Sequence, residues 1–445
     1  MRAFIAVAAF AAFFGQALAA PIASAYPQDG GIIVTPGDVN DVIITAENTV
    51  NGTIHPNATL FRTASVSAVE QLPFEFVNNF GGGQVNAYVT GKDSQNNLVM
   101  LKADGTWYYP NPHGATSPQP ITEDIKIPLG SQGSTTKIKL PGYISSGRIY
   151  FAEGKLQFFT LMGGNGQASL VEPSAVNPSD PSAGINWGFV ELTNNESGGL
   201  FANISYVDFV GLVLGMSMTA GDGSVQTAQG LAPEAVANIC SDLASLGSDS
   251  TWPNLCMKTS NGSPIRVISP YQYMQLVPGS FDGYFNDYND KVWSKYATDT
   301  LTINTQTSAG NVACKIDGDL LTCDGDNRGY AKPSAGDVFG CNSGPFAIRE
   351  GDNAIHYAVV PRLCAAWTRT TMLIDGGDVQ PALGADKFYS GEPTSRYSQS
   401  VHKFEVDGKG YAFAYDDVTP DGLTNQAGVV ADANPQVLRI HVGGF

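Results

Sequence analysis

From residue 72 to residue 161 apolar and polar positions alternate in short runs separated by turn residues. PFEFV (73–77), QVNAYVT (84–90), NLVMLK (97–102), TWYY (106–109), GRIYF (147–151) and LQFFTL (156–161) each read as a strand, and Ala103-Asp104-Gly105 reads as a turn. FVELTNN (189–195) and NISYVDFVGL (203–212) continue the series on either side of Gly198-Gly199. Beyond residue 230 the period changes. Pro233 opens a run in which Val236, Ile239, Cys240, Leu243 and Leu246 keep helical spacing before Gly247. A second helix is expected from about Phe281, with Phe285, Tyr288, Val292 and Tyr296 on one face, and a third from about Pro361 through LCAAWTRTTML. HKFEV (402–406), GYAFAYDDV (410–418) and QVLRIHV (436–442) return to strand patterning. Strands, then helices, then strands imply a mainly β protein with an α+β insertion.

The N-terminus fits neither period. MRAFIAVAAFAAFFGQALAA combines Arg2, an apolar run too short to span a bilayer, and small residues at Ala17 and Ala19, so residues 1–19 are expected to be a secretory signal peptide. Residues 20–70 form an N-terminal extension with two short β-like segments. The expected partition beyond it is 71–225 as the first part of a β domain, 226–375 as a mixed α/β domain, and 376–445 as strands completing the β domain.

Composition narrows the function classes. With 50 Gly, 26 Pro and only 15% charged residues, the chain has the makeup of a turn-rich secreted β protein. Its net charge of −17 repels polyanions, which argues against nucleic acid and anionic membranes as partners. A soluble monomer is expected. The six cysteines fall into three short intervals, favouring neighbour pairing of Cys240 with Cys256, Cys314 with Cys323 and Cys341 with Cys364. Sequons begin at Asn51, Asn57, Asn195, Asn203 and Asn261.

Nucleophile-elbow, zinc-protease, P-loop and dinucleotide signatures are absent. DGDNRG (324–329) offers too few oxygen ligands for a calcium loop and reads as a tight turn beside Cys323. No metal or organic cofactor is expected, and the scattered histidines read as surface or satisfied core residues. What stands out is a pair of acids inside apolar, β-prone runs. Alternation puts Glu191, Thr193 and Asn195 on one strand face. A turn centred on Gly198-Gly199 would place Glu191 opposite Tyr206, with Asp208 one diagonal step away. Two such acids suit either a hydrolase or a structural or binding role, and the residues alone leave both open. Trp107, Tyr108, Tyr109 and Trp187 are candidate sugar-stacking residues, with core packing as the competing role.

GFVELT with NISYVDFVGLVLGMSM, together with LPFEFVNNFGGGQVNAYVTGKDSQNNLVMLKADGTWYYP, VPRLCAAWTRTTML and HKFEVDGKGYAFAYDDVTP, resembles glycoside hydrolase family 64, endo-acting β-1,3-glucanases related to thaumatin-like proteins. The resemblance spans about residues 71–445. It implies a thaumatin-like β-barrel or sandwich domain and a mixed α/β domain flanking a wide groove that holds β-1,3-glucan. It also implies Glu191 as general acid, Asp208 as the base that activates water, Thr193 and Asn195 as sugar contacts, and inversion at the anomeric carbon. A glycan on Asn195 would obstruct that groove, so its sequon is expected to stay unused. The alternative implied by the same fold is a non-catalytic, thaumatin-like glucan-binding protein.

Overall fold

The computed structural model describes residues 30–45, 48–49, 70–164, 166–248 and 250–445. The expected signal segment 1–19 and the sequons at Asn51 and Asn57 lie outside the described residues. The architecture is two packed sheets with smaller sheets and helices attached. The larger sheet runs in the order Val429–Asp432, Gly199–Ile204, Asn186–Asn195, Ile144–Glu153, Val85–Lys92, Leu98–Leu101, Trp107–Tyr108, with Ile127–Pro128 joined to Val85–Lys92. The second runs Val225–Ala228, Leu214–Ala220, Pro435–Val442, Pro73–Asn78, Thr135–Lys139. Strand alternation makes the contact between them: Phe74, Phe76, Leu438, Ile440 and Val442 are completely buried, and Phe76 meets Phe151 of the larger sheet edge to face at 5.0 Å. Among the described residues both sheets are open paths, so the architecture is a sandwich and not the closed barrel that was the other expectation.

The outer face of the larger sheet is covered partly by a three-stranded sheet, Ala168–Val171, Phe159–Met162 and Gln119–Pro120. Part of the N-terminal extension is strapped to the same region. Ile32–Ile33 pairs in parallel with Cys256–Lys258, and Thr49 bridges Val171. Disulfides join Cys240 to Cys256, Cys314 to Cys323 and Cys341 to Cys364, each a pair of sequence neighbours. No helix among the described residues is long and apolar enough to cross a membrane.

Three sequence expectations need correction. The third helix starts at Ala354, not Pro361, because the Asn353 side chain accepts the His356 N–H at 2.9 Å and caps it. Pro361 is then internal. Burial of Val359, Val360, Leu363, Cys364 and Trp367 offsets the roughly 3 kcal/mol that an interior proline costs. HKF belongs to the helix Arg396–Phe404, whose Tyr397 and Val401 bury one face at i, i+4 spacing. Residues 410–418 form turns and bends apart from an isolated bridge at Tyr411. The fully buried Asp416 carboxylate accepts the backbone N–H groups of Ala412 at 2.6 Å and Phe413 at 3.2 Å, which folds the segment back on itself.

Candidate active site

The site grows from a single row of the larger sheet. Directly paired residues place Tyr108, Met100, Thr90, Arg148, Glu191 and Asn203 side by side across six strands, all on the outer face. Towards one end of the Asn186–Asn195 strand this face is aromatic. Trp187 and Phe189 pack with Tyr150 and Phe209, the Trp187–Phe209 centroids being 4.6 Å apart. Towards the other end it turns polar through Glu191, Thr193 and Asn195. Glu191 stands at the boundary, its side chain 17% exposed.

Both oxygens of Glu191 are held. Arg148 donates to Oε1 from Nε at 3.4 Å and Nη2 at 3.3 Å, and Asn203 Nδ2 donates to Oε2 at 3.3 Å. The other edge of Arg148 reaches Glu172 Oε2 at 2.7 Å, and Thr90 Oγ1 donates to Glu172 Oε1 at 3.1 Å. Glu172 is the most buried of the charged groups here, its side chain 3% exposed. The Asn203 sequon is therefore committed to the interior, its amide buried and turned to Glu191.

Asp208 reaches the site by a different route. The hairpin pairs Glu191 with Asn203 and Asn195 with Gly199, so the turn spans Glu196–Gly198 and the expected pairing of Glu191 with Tyr206 does not occur. The strand ends at Ile204, and Phe209–Val210 joins another sheet against Pro264–Ile268. Asp208 sits in the bend between. Its backbone carbonyl accepts the Ser269 N–H at 2.8 Å, and Gln272 Nε2 donates to its Oδ1 at 2.9 Å. The diagonal step expected between Glu191 and Asp208 falls with that register.

The acids are related instead through Tyr206 and Tyr411. Tyr206 N–H bonds Tyr411 O at 2.7 Å, prolonging the Gly199–Ile204 strand by a parallel bridge at Ser205. Burial, then Asp417, Asp416 and Glu191, push the Tyr411 hydroxyl upward. Tyr397 donates to Tyr206 O at 2.5 Å, and burial followed by the Asp208 charge raises its hydroxyl well above the ordinary value. Glu191 thus acts on Tyr411 and Asp208 on the Tyr397 hydroxyl that holds Tyr206 O, and each acid has an amide partner and is partly open.

The remaining candidates divide. Thr193 is half-buried on the Glu191 face. Asn195 shares that face, but its Oδ1 accepts the Gly198 N–H at 2.7 Å and the Ser197 hydroxyl at 3.1 Å, so it also builds the turn. Trp187 is only 3% exposed inside the aromatic cluster, out of reach of a sugar ring. Trp107 pairs through Leu101, Val89 and Ile149 to Val190, which puts it on the core face, opposite to Glu191. Tyr108, its neighbour, is the one that shares the Glu191 row. In the DGDNRG loop Asp326 accepts from His356 Nδ1 at 2.9 Å and from the Tyr330 hydroxyl. No cluster of three His, Cys, Asp or Glu side chains among the described residues could hold a metal ion.

Arg148, Glu172, Gln272 and Tyr411 were not singled out from the sequence. Arg148 carried the same signal as Glu191, one charge in an otherwise apolar strand. Glu172 and Gln272 carried none, because their partners lie 24 and 64 residues away.

Comparison with known proteins identifies the family. The family model described as Beta-1,3-glucanase, glycoside hydrolase family 64, matches residues 70–442. A glucan endo-1,3-β-glucosidase of Arthrobacter sp. (strain YCWD3) is 28% identical over 393 residues, covering 86% of this chain and 67% of that protein; one from Cellulosimicrobium cellulans is 27% identical with the same coverage. A laminaripentaose-producing β-1,3-glucanase solved in complex with laminaritetraose superposes with a TM-score of 0.71 at 28% identity, covering 84% of this chain and 99% of that one. The glycoside hydrolase family 64 domain from Clostridium beijerinckii shares the fold with a TM-score of 0.64 at 20% identity, covering 85% of this chain and 100% of that one. The acid pair, the sandwich and this match over nearly the whole described sequence lead to one conclusion: the chain belongs to glycoside hydrolase family 64, the β-1,3-glucanases.

Proposed function

We propose that the protein is a secreted endo-β-1,3-glucanase that cleaves with inversion, Glu191 acting as general acid and Asp208 as general base. The observation that carries the assignment is that the two acids picked out from the sequence are both partly open and each is oriented by its own amide, Glu191 by Asn203 and Asp208 by Gln272. Glu191 gives its proton to the glycosidic oxygen as the bond to the anomeric carbon breaks. Asp208, aimed by Gln272, takes a proton from water as its oxygen bonds that carbon from the opposite face. Inversion rests on the family resemblance and calls for carboxyl groups about 6.5–9.5 Å apart, with room for that water. Three disulfides support an oxidising destination. The partition into 71–225, 226–375 and 376–445 belongs to the same proposal, supported by the Pro435–Val442 strand, which lies between two strands of the first segment. A purely glucan-binding role gives no reason for two oriented acids.

Laminarin hydrolysis followed by proton NMR tests the assignment. The wild type should release the α-anomer first, and Glu191→Gln and Asp208→Asn should each lose about 10²–10⁴-fold in kcat while still binding glucan. Early β-anomer would refute inversion, and near-normal turnover in either variant would refute its role.

A further inference from the structure

The acid assigned to Glu191 lies against a guanidinium, which raises a physical difficulty. A general acid must hold a proton at the working pH, and an opposite charge within about 4–6 Å favours the ionised carboxylate. Arg148 therefore orients Glu191 at the risk of disarming it. The geometry answers this. Arg148 is buried and sits closer to Glu172, at 2.7 Å, than to Glu191, at 3.3 Å. Glu172 is fixed on every side. Thr90 donates to its free oxygen, and its own backbone N–H bonds Asn48 O of the N-terminal strap at 2.8 Å. The chain that follows is tied down by Asp180, which accepts the Ser174 and Ser182 N–H groups, and by the buried Arg266, which donates to the carbonyls of Ala175, Ala183 and Ile185.

We propose that Glu172 is a positioning residue for catalysis: it pairs with one edge of Arg148 and balances its charge, so that the other edge can orient Glu191 without stripping its proton. This rests on the reading of Glu191 as general acid. The groups facing Glu191 are Arg148 from the Ile144–Glu153 strand, Asn203 from the Gly199–Ile204 strand and Tyr411 from the bridging segment, with Asp416 and Asp417 beyond Tyr411. Of these, only Arg148 is a cation. Its counter-ion from outside the large sheet is Glu172, supplied by the segment after Ala168–Val171.

The test is the alkaline limb of the kcat/KM pH profile on laminarin, which reports loss of the protonated acid. In Glu172→Gln the unbalanced Arg148 should move that limb to lower pH by about one unit, and in Arg148→Met it should move to higher pH by a similar amount. The double variant, Arg148→Met with Glu172→Gln, is charge-neutral and should lie within about half a unit of wild type. If Glu172→Gln does not fold, the step from Arg148→Met to the double variant still isolates Glu172, and the limb must fall. A merely structural Glu172 would lower rates or stability with the limb unmoved. That result, or single variants shifting the limb in the same direction, overturns the proposal. Activity surviving in Glu191→Gln would sink the general-acid reading itself, a separate outcome.

Discussion

A buried charge is informative according to what surrounds it. Glu191 lies in a row of partners with partial exposure, whereas His402 is enclosed. Its Nδ1 is 2.8 Å from Glu405 Oε2 and its Nε2 is 3.2 Å from Asp416 Oδ2, in the same pocket as the Arg369–Asp416 ion pair. Burial opposes its charge, but the two carboxylates outweigh burial and push the imidazole up to about 10. A folded-state value above the unfolded value of about 6.5 stabilises the fold fully below pH 6.5, and that contribution is lost as pH climbs through 10. Urea unfolding between pH 6.5 and 10 should show a loss of up to roughly 4 kcal/mol in wild type that is largely missing in His402→Gln. Parallel slopes for the two proteins would mean that the histidine is not held charged. The sequence marked His402 only as one of five scattered histidines, because its carboxylate partners are supplied by folding of residues 405–416.

At the scale of elements, the hairpin that carries Glu191 shows what patterning reads and where it stops. Alternation places Glu191, Thr193 and Asn195 on one face, as the strand pairing does, since side-chain direction in a strand is a local property. A turn centred on Gly198-Gly199 misses the register by three residues, because Asn195 closes the turn by accepting the Ser197 and Gly198 groups. Gly199 instead begins the returning strand with φ +72°, and a Cβ there would meet Asp432 O at 2.3 Å. Gly199→Ala should therefore cost more than the roughly 1–2 kcal/mol of a left-handed alanine, and it should lower activity by disturbing the strand that carries Asn203. Gly223→Ala is the control, with φ +85° and open space around it. Equal losses in denaturant titrations of the two variants would count against the close approach to the Val429–Asp432 strand.

For the whole molecule, the part outside the family match matters most. Residues 30–49 precede the matched range of 70–442, yet Ile32 and Val34 are almost completely buried and Lys258 donates to Gly30 O at 2.5 Å. The strap links the Cys256–Lys258 sheet to the edge of Ala168–Val171, immediately before Glu172. It is thus integral to the fold. Ile32→Ala should lower unfolding free energy by about 2–5 kcal/mol. A change under about 0.5 kcal/mol would make the segment an ornament.

Sequence by itself determined what depends on neighbours along the chain: the short strands before residue 161, the helix after Pro233, the face shared by Glu191 and Thr193, and the family. The neighbouring cysteine pairs also match their spacing, since short loops close at low entropic cost. Tertiary structure decided the rest. Val190 and Glu191 are adjacent in sequence, but only sheet packing shows that Trp107 shares a face with the first and Tyr108 with the second. Asp416 bends 410–418 away from strand by accepting the Ala412 and Phe413 N–H groups from a buried position where only the fold brings His402 and Arg369 to its carboxylate. Arg148 could become both guide and threat to Glu191 only where the sheet laid their strands side by side and another segment brought Glu172 to balance it. Charge interactions between segments distant in sequence depend on distance and desolvation, and the fold alone sets both.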